Sequence, residues 1–165
     1  MAAEPKNNGE KLIAKNPIAY SDYAIDEVVE AGMILTGTEV KSLRVNSPNL
    51  RDAFVEVRNS SKGFEAWLLN ANIAPYSHGN IWNHEAVRRR KLLLHMHQLE
   101  RLHGLIVQKG LNVIPTRIYF KKGFVKIELG VGRGKKKYDK REDLKKKSAD
   151  LEMAQAKKHL RRNEE

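Results

Sequence analysis

Two runs, Leu111-Asn-Val-Ile-Pro-Thr-Arg-Ile-Tyr-Phe120 and Phe124-Val-Lys-Ile-Glu-Leu129, stand either side of Lys121-Lys-Gly123. They alternate apolar and polar residues as paired strands do, so they read as a hairpin with a tight turn. Ile118, Phe120, Val125, Ile127 and Leu129 should point to one face; Arg117, Lys126 and the turn lysines to the other, giving a sheet with an apolar and a basic side. Pro115 has no amide hydrogen for a ladder and marks a bulge or an edge. Outward from this hairpin, Ala53–Arg58 and Phe64–Leu69 form a second pair across Asn59–Gly63, and Asp22–Val29 suits a first strand. Short strands with small helices inserted between them indicate an antiparallel α+β domain or a small barrel.

Helix signals are fewer. Thr36-Gly-Thr-Glu39 is a capping box, in which hydroxyl and carboxylate satisfy each other's orphan amides, so a short helix should follow and end at Asn46-Ser-Pro48. Val40 and Leu43 would face the core, with Glu39, Lys41, Ser42 and Arg44 outward. Ala71–His84 reads as a loop, and Glu85 onward as a helix carrying Leu92, Met96, Leu99 and Leu102. Gly104 and Gly110 then bracket a further turn. Arg88-Arg-Arg-Lys91 would sit at that helix's positive end, where cations oppose the dipole, so an external anion is the better explanation for them.

The charge is concentrated. Formal net charge is +11, and residues 133–165 hold 13 Lys/Arg against 7 Asp/Glu. Such a balance favours a polyanionic partner. The junction Gly130-Val-Gly-Arg-Gly134 reads as a hinge, beyond which Lys135 to Glu165 has neither Gly nor Pro. Leu144, Leu151, Met153 and Leu160 are too few to bury a face, so the tail is expected to be disordered alone and helical when bound. Domain boundaries follow as a flexible N-terminus (1–11), a folded unit (12–132) and a basic tail (133–165).

The chain has no Cys, which removes disulfides and thiolate metal sites. No run is apolar enough to cross a bilayer, and no N-terminal leader pattern is present, so a cytoplasmic protein is expected. Enzyme signals are weak. The three glycines before Lys135 lack the phosphate-loop pattern, His95, His97 and His103 lack metal-ligand spacing, and nothing brings Glu30 and Glu39 together as an acid/base pair. No catalytic residue, metal or cofactor is assigned.

Several blocks carry a resemblance: Glu30-Ala-Gly32, Leu35-Thr-Gly-Thr-Glu-Val-Lys-Ser-Leu-Arg44, Arg90-Lys-Leu-Leu-Leu94, Lys109-Gly-Leu111, Tyr119-Phe-Lys121, and Gly134-Lys-Lys with Tyr138-Asp-Lys-Arg-Glu142. Over about residues 11–145 the chain resembles the SmpB family of SsrA-binding proteins. The resemblance implies an α+β, mainly β fold: an antiparallel six-stranded OB-like barrel with short flanking helices and the basic tail. It also implies a non-enzymatic role in trans-translation. The family binds the tRNA-like domain of transfer-messenger RNA (tmRNA, SsrA) and delivers it to stalled ribosomes for ribosome rescue and tagging of the nascent chain, the tail entering the decoding site and empty message channel. Implied partners are that RNA, the 16S rRNA of the small subunit and, through the shared RNA, elongation factor Tu and alanyl-tRNA synthetase; a monomer with no membrane association is expected.

Carried over residue by residue, the RNA-binding set is Asn16, Glu30, Glu39, Lys41, Ser42, Arg44, Arg90, Lys91, Leu93 and Lys126. Lys and Arg would neutralise phosphates, and the carboxylates would accept from base amino groups. The decoding-site set is Lys135, Lys136, Tyr138, Asp139, Lys140 and Arg141, with Tyr138 as a stacking ring among cations. The sequence departs from the family pattern at Pro17, where a basic residue is usual, at Tyr138, where some relatives carry His, and at Ala156–Leu160, which is weakly apolar. Two rival readings are a generic RNA-binding barrel and an RNA-processing enzyme.

Overall fold

A computed structural model describes residues 9–162. Strands β1 (Glu10–Lys15), β2 (Tyr23–Met33), β3 (Phe54–Ser60), β4 (Gly63–Leu69), β5 (Arg90–Leu93), β6 (Asn112–Lys121) and β7 (Phe124–Gly134) alternate with helices α1 (Ala19–Asp22), α2 (Gly37–Val45), α3 (Met96–Lys109) and α4 (Lys137–Arg162). All strand pairs are antiparallel, in the order β1-β6-β7-β2-β5-β4-β3. The fold class is therefore the expected mainly-β α+β, with seven strands rather than six. The sheet curls until β3 lies against β6, but no hydrogen-bonded pair closes it.

The β6–β7 hairpin turns at Lys122-Gly123 with φ of 50° and 81°. Positive φ at both centres is the primed-turn geometry that matches strand twist, and Gly123 adopts it without a Cβ penalty. Register shifts between Pro115 and Arg117, the bulge anticipated at Pro115. Ile118, Ile127 and Leu129 are wholly buried with Leu68 of β4 and with Leu50 and Ile73 from the segments flanking β3 and β4. Each such side chain stabilises by roughly 1.5–3 kcal/mol on burial. Helix α3 covers one end of this core with Leu99 and Leu102, and the ring of His103 packs on Phe64 with centroids 4.5 Å apart.

Four expectations are corrected. Glu10 and Lys11, placed in a flexible N-terminus, belong to β1 and pair with Lys121 and Phe120; residues 1–8 of that segment lie outside the described residues. No helix starts at Glu85: Arg90–Leu93 is a strand between β2 and β4, and α3 begins at Met96 and runs through Gly104 to the left-handed Gly110. His95 is thus an extended N-cap rather than a helical residue, and its ring stacks on that of His97, 5.6 Å between centroids.

The third correction concerns the hinge. Gly130–Gly134 is the second half of β7, paired with β2 from Val28 to Tyr23. A Cβ on Gly132 would lie 2.0 Å from the Ala24 carbonyl oxygen, and one on Gly130 would lie 2.7 Å from the Ile25 side chain. Gly132 lets two backbones approach beside the β2 bulge at Asp26, and Gly130 leaves room for the Ile25 and Thr116 side chains; neither loosens the chain.

The fourth is the tail. Lys137–Arg162 is a continuous helix in the chain without a partner, while the tail's last residues, 163–165, fall outside the described residues. Glu142 and Lys146, and Asp143 and Lys147, stand at the i, i+4 spacing that supports isolated helices. Leu144, Leu151 and Met153 are all more than 60% exposed, so these three side chains do not hold α4 to the barrel.

Candidate nucleic-acid interface

Helix α2 begins as its sequence dictates. The Thr36 amide donates to Glu39 Oε2 at 2.8 Å, one half of the capping box. Glu39 nevertheless faces inward, as does Ser42, and both are wholly buried where an outward face was expected. The Arg88 guanidinium donates through Nε to Glu39 Oε1 (2.8 Å) and through Nη2 to Oε2 (2.6 Å), and Arg90 Nε donates to Oε1 at 2.8 Å. Arg90, itself 0% exposed, spends its remaining donors on the carbonyls of Ala71, Ala86 and Arg88. For Arg88 and Arg90 the anion that the cationic run seemed to require is thus supplied by the chain itself. Burial pushes the Glu39 carboxyl up, but the Arg88 hydrogen bonds, the Thr36 amide and Arg90 outweigh it and hold it below the ordinary carboxylate value.

Four sequence candidates therefore turn into the protein. Glu39 and Arg90 form the buried pair, Ser42 Oγ donates to the Ala74 carbonyl at 2.5 Å, and Asn16 Nδ2 donates to the Pro115 carbonyl at 2.9 Å while its backbone amide donates to Thr116. Asn16 fastens the β1–α1 turn to the β6 bulge. The other candidates stay accessible. Lys41 and Arg44 lie on the exposed side of α2, with the Lys41 ammonium 5.8 Å from the Tyr76 ring centroid. Lys91 donates to Glu65 at 2.6 Å and lies over Trp67.

Glu30, Leu93 and Lys126 meet. They line an open groove of about 710 Å³ between β2, β7, β5 and the start of α3, together with His95, His97 and Arg101. Glu30 accepts from the Tyr119 hydroxyl and from Lys121 Nζ (2.9 Å). The Tyr119 hydrogen bond, foremost, and Lys121 hold its carboxyl below the ordinary range against the upward push of burial. Burial, foremost, and the same contact raise the Tyr119 hydroxyl. Across the outer sheet face Arg117 pairs with Glu128 (2.9 Å) and Lys121 with Glu10 (3.5 Å), so the face expected to be basic is largely self-neutralised; Lys126 has no ion pair among the described residues.

At the far end of β7, the Lys135 amide donates to the Asp22 carbonyl at 2.7 Å, and its ammonium pairs with Asp143 and reaches the Tyr20 carbonyl. Lys140 pairs with Asp22 at 3.2 Å, and Asp139 accepts from the Lys136 amide at 3.3 Å, capping α4. Lys136, Tyr138 and Arg141 are exposed, the ring at 69%. The decoding-site candidates thus gather at the β7–α4 junction and the start of α4, half of them tied to α1 or to the helix itself.

The described residues include no cluster of three or more His, Asp or Glu side chains suited to a metal. Sequence reasoning did not assign Arg88 to any site, nor Tyr119 to Glu30. For Arg88 a signal existed, since four cations at a supposed helix N-terminus were at odds with the dipole.

The family model described as SmpB protein matches residues 13–159. The chain belongs to the SmpB family. It is 54% identical over 148 residues to an SsrA-binding protein of Pelobacter propionicus, covering 90% of this chain and 95% of that one. It is 49% identical over 152 residues to an SsrA-binding protein of Bacillus cytotoxicus, covering 92% and 95%. A chain from the solved structure described as "tmRNA-SmpB: a journey to the center of the bacterial ribosome" matches with a TM-score of 0.60 at 44% identity, over 75% of this chain and 85% of that chain. The family match runs from β1 through most of α4, so barrel and tail belong to one family pattern.

Proposed function

We propose that this protein is the RNA-binding factor of trans-translation. It binds the tRNA-like domain of transfer-messenger RNA, accompanies it to a ribosome stalled on a truncated message, and inserts α4 into the decoding site and the vacated message channel so that the nascent chain is tagged and released. The observation that carries this reading is the unbroken family match over residues 13–159, among relatives that are themselves SsrA-binding proteins. Elongation factor Tu and alanyl-tRNA synthetase join through the shared RNA, and the cytoplasm is where that ribosome lies.

The groove of Glu30, Leu93 and Lys126 and the exposed Lys41, Arg44 and Lys91 receive the RNA: cations take phosphates, Leu93 packs on a base, and Glu30 accepts from a base amino group. Asn16, Glu39, Ser42 and Arg90 act from beneath by fixing those elements. Tyr138 stacks on an rRNA base with Lys136 and Arg141 on flanking phosphates. Each of Glu30 and Glu39 is committed to different partners: Tyr119 and Lys121 for one, Arg88 and Arg90 for the other.

A salt-titrated binding assay tests the reading, using the tRNA-like domain and an unrelated hairpin, with the full chain and a chain ending at Gly134. Selectivity for the tRNA-like domain in both forms, with tagging lost in the shorter one, is expected. Equal affinity for the two RNAs at every salt concentration would make this a general RNA-binding barrel instead.

A further inference from the structure

The segment joining β4 to β5 is built as a rigid object. It is fixed to α2 at three points: Ser42 Oγ donates to the Ala74 carbonyl, Lys41 lies over the Tyr76 ring, and the Thr38 hydroxyl meets His84 Nδ1 at 2.9 Å. His84 Nε2 donates to the Ile73 carbonyl at 3.0 Å, which leaves Nδ1 as the acceptor of the Thr38 hydroxyl proton. Its tip is closed on itself. Asn83 accepts from the Tyr76 amide at 3.0 Å and donates to the Tyr76 carbonyl at 2.6 Å, and the amides of Gly79 and Trp82 complete successive turns at 2.9 and 3.1 Å.

What this frame carries is a 3₁₀ turn, Asn80–Trp82, whose two apolar side chains face water: Ile81 is 86% and Trp82 83% exposed, more than any other large apolar side chain described. Folding gains nothing from an indole held in the open, since its value lies in the area it buries. The surroundings are cationic. Lys41 lies over the Tyr76 ring of the loop and Arg89 follows the loop before β5; between residues 71 and 89 the single carboxylate is Glu85. An exposed aromatic ring on a fixed backbone, with cations rather than carboxylates at its base, is the combination that binds unpaired nucleotides: the ring takes a base face and the cations take the strand.

We infer that Trp82 is a stacking platform for an unpaired RNA base, with Ile81 against the neighbouring sugar or base edge. The inference rests on the RNA-binding reading above and adds to it a site far along the chain from Glu30 and Tyr138. The base belongs either to the tRNA-like domain or to ribosomal RNA.

The chain provides its own probe. It has two tryptophans, and Trp67 lies partly buried beside Arg89 and Lys91. In a Trp67→Phe background, Trp82 emission is followed as the full-length protein is titrated with the tRNA-like domain and, separately, with ribosomes. Quenching by one of them is expected and identifies the source of the base. Trp82→Ala should weaken that same binding about tenfold, as loss of one stacked base does, while Trp82→Phe stays within about threefold. Thermal midpoints should not move, because the side chain is exposed. Unchanged emission with both, and wild-type affinity in Trp82→Ala, overturns the inference while leaving selective tRNA-like-domain binding intact. Quenching without selectivity between that domain and an unrelated hairpin would keep the stacking site and overturn the trans-translation reading. If ultraviolet crosslinking joins Trp82 to a ribosomal protein rather than to a nucleotide, the partner is a protein pocket and the inference fails.

Discussion

Replacing Glu39 with alanine removes the one anion that faces two guanidinium groups beneath α2. Arg88, 30% exposed, can turn to water; Arg90, at 0%, cannot, and would be left with three carbonyl oxygens and no counter-charge. Breaking a buried pair from one side costs about 3–5 kcal/mol, because an uncompensated charge remains in the interior. Against a total stability of roughly 5–15 kcal/mol this is a large fraction, and for a domain of this size it lowers the thermal midpoint by about 10 °C. Urea unfolding followed by far-ultraviolet circular dichroism gives the free energy directly. Removing both charges, as in Glu39→Leu with Arg90→Met, leaves no buried ion and should recover much of the loss suffered by Glu39→Leu alone.

The pH dependence supplies an independent reading. Because the folded carboxyl lies below its ordinary value, its contribution is fully present above the unfolded value of about 4.3 and is lost as pH falls through the lower folded one. Glu30 and Asp143 are shifted the same way, so the difference between wild type and the double variant isolates Glu39. A cost below about 1 kcal/mol for Glu39→Ala, with an unchanged acid limb, would refute the view that this pair is dry and mutually dependent.

Gly132→Ala drives a Cβ into the Ala24 carbonyl and should cost more than about 3 kcal/mol in urea unfolding, whereas Gly134→Ala, which meets nothing within 4 Å, should stay within about 1 kcal/mol. A chain ending at Gly134 should keep the thermal midpoint of the full chain within a few degrees, since Leu144, Leu151 and Met153 of α4 are all exposed. Hydrogen exchange should show the amides of 144–159 exchanging far faster than those of β6 and β7, because local terms alone hold that helix; equal protection would mean that α4 is packed on something. Lys126→Ala should reduce the salt slope of tRNA-like-domain binding by about one unit while leaving stability unchanged.

The parts of this fold that were legible in the sequence are those in which neighbouring residues settle the conformation. The β6–β7 hairpin announces itself by alternation and by Lys122-Gly123, and α2 by Thr36 and Glu39, three residues apart. What stayed hidden depends on partners far along the chain. Arg90–Leu93 is four residues with two cations and continues a helical spacing into Met96 and Leu99; only its place between β2 and β4 makes it a strand, and only Glu39, 51 residues away, makes a buried arginine tolerable there. Gly130–Gly134 looked like a hinge for the same reason. Glycine serves looseness and close approach alike, and Ala24 decides between them. Among the candidate residues, the family resemblance could name Lys126, Leu93 and Glu30, but not that these three share a groove while Asn16, Ser42 and Arg90 face inward.

The two ionic arrangements differ in the way a two-part RNA adaptor requires. Glu39 is enclosed, and its bonds to Thr36, Arg88 and Arg90 join α2, the segment before β5 and β5 itself into one body, so the cations on that surface keep fixed spacings when phosphates arrive. A preformed array loses less entropy on binding than a mobile one. At the base of α4 the pair of Lys140 with Asp22 is more than a third exposed on both sides, and such pairs contribute about 0–1 kcal/mol. Competing phosphates can replace Asp22 at little cost. The bonds around Glu39 thus tie α2 and β5 into one body, whereas α4 is seated by the partly exposed pairs of Lys140 with Asp22 and Lys135 with Asp143, and any compliance there comes from these salt-sensitive contacts rather than from glycines in β7.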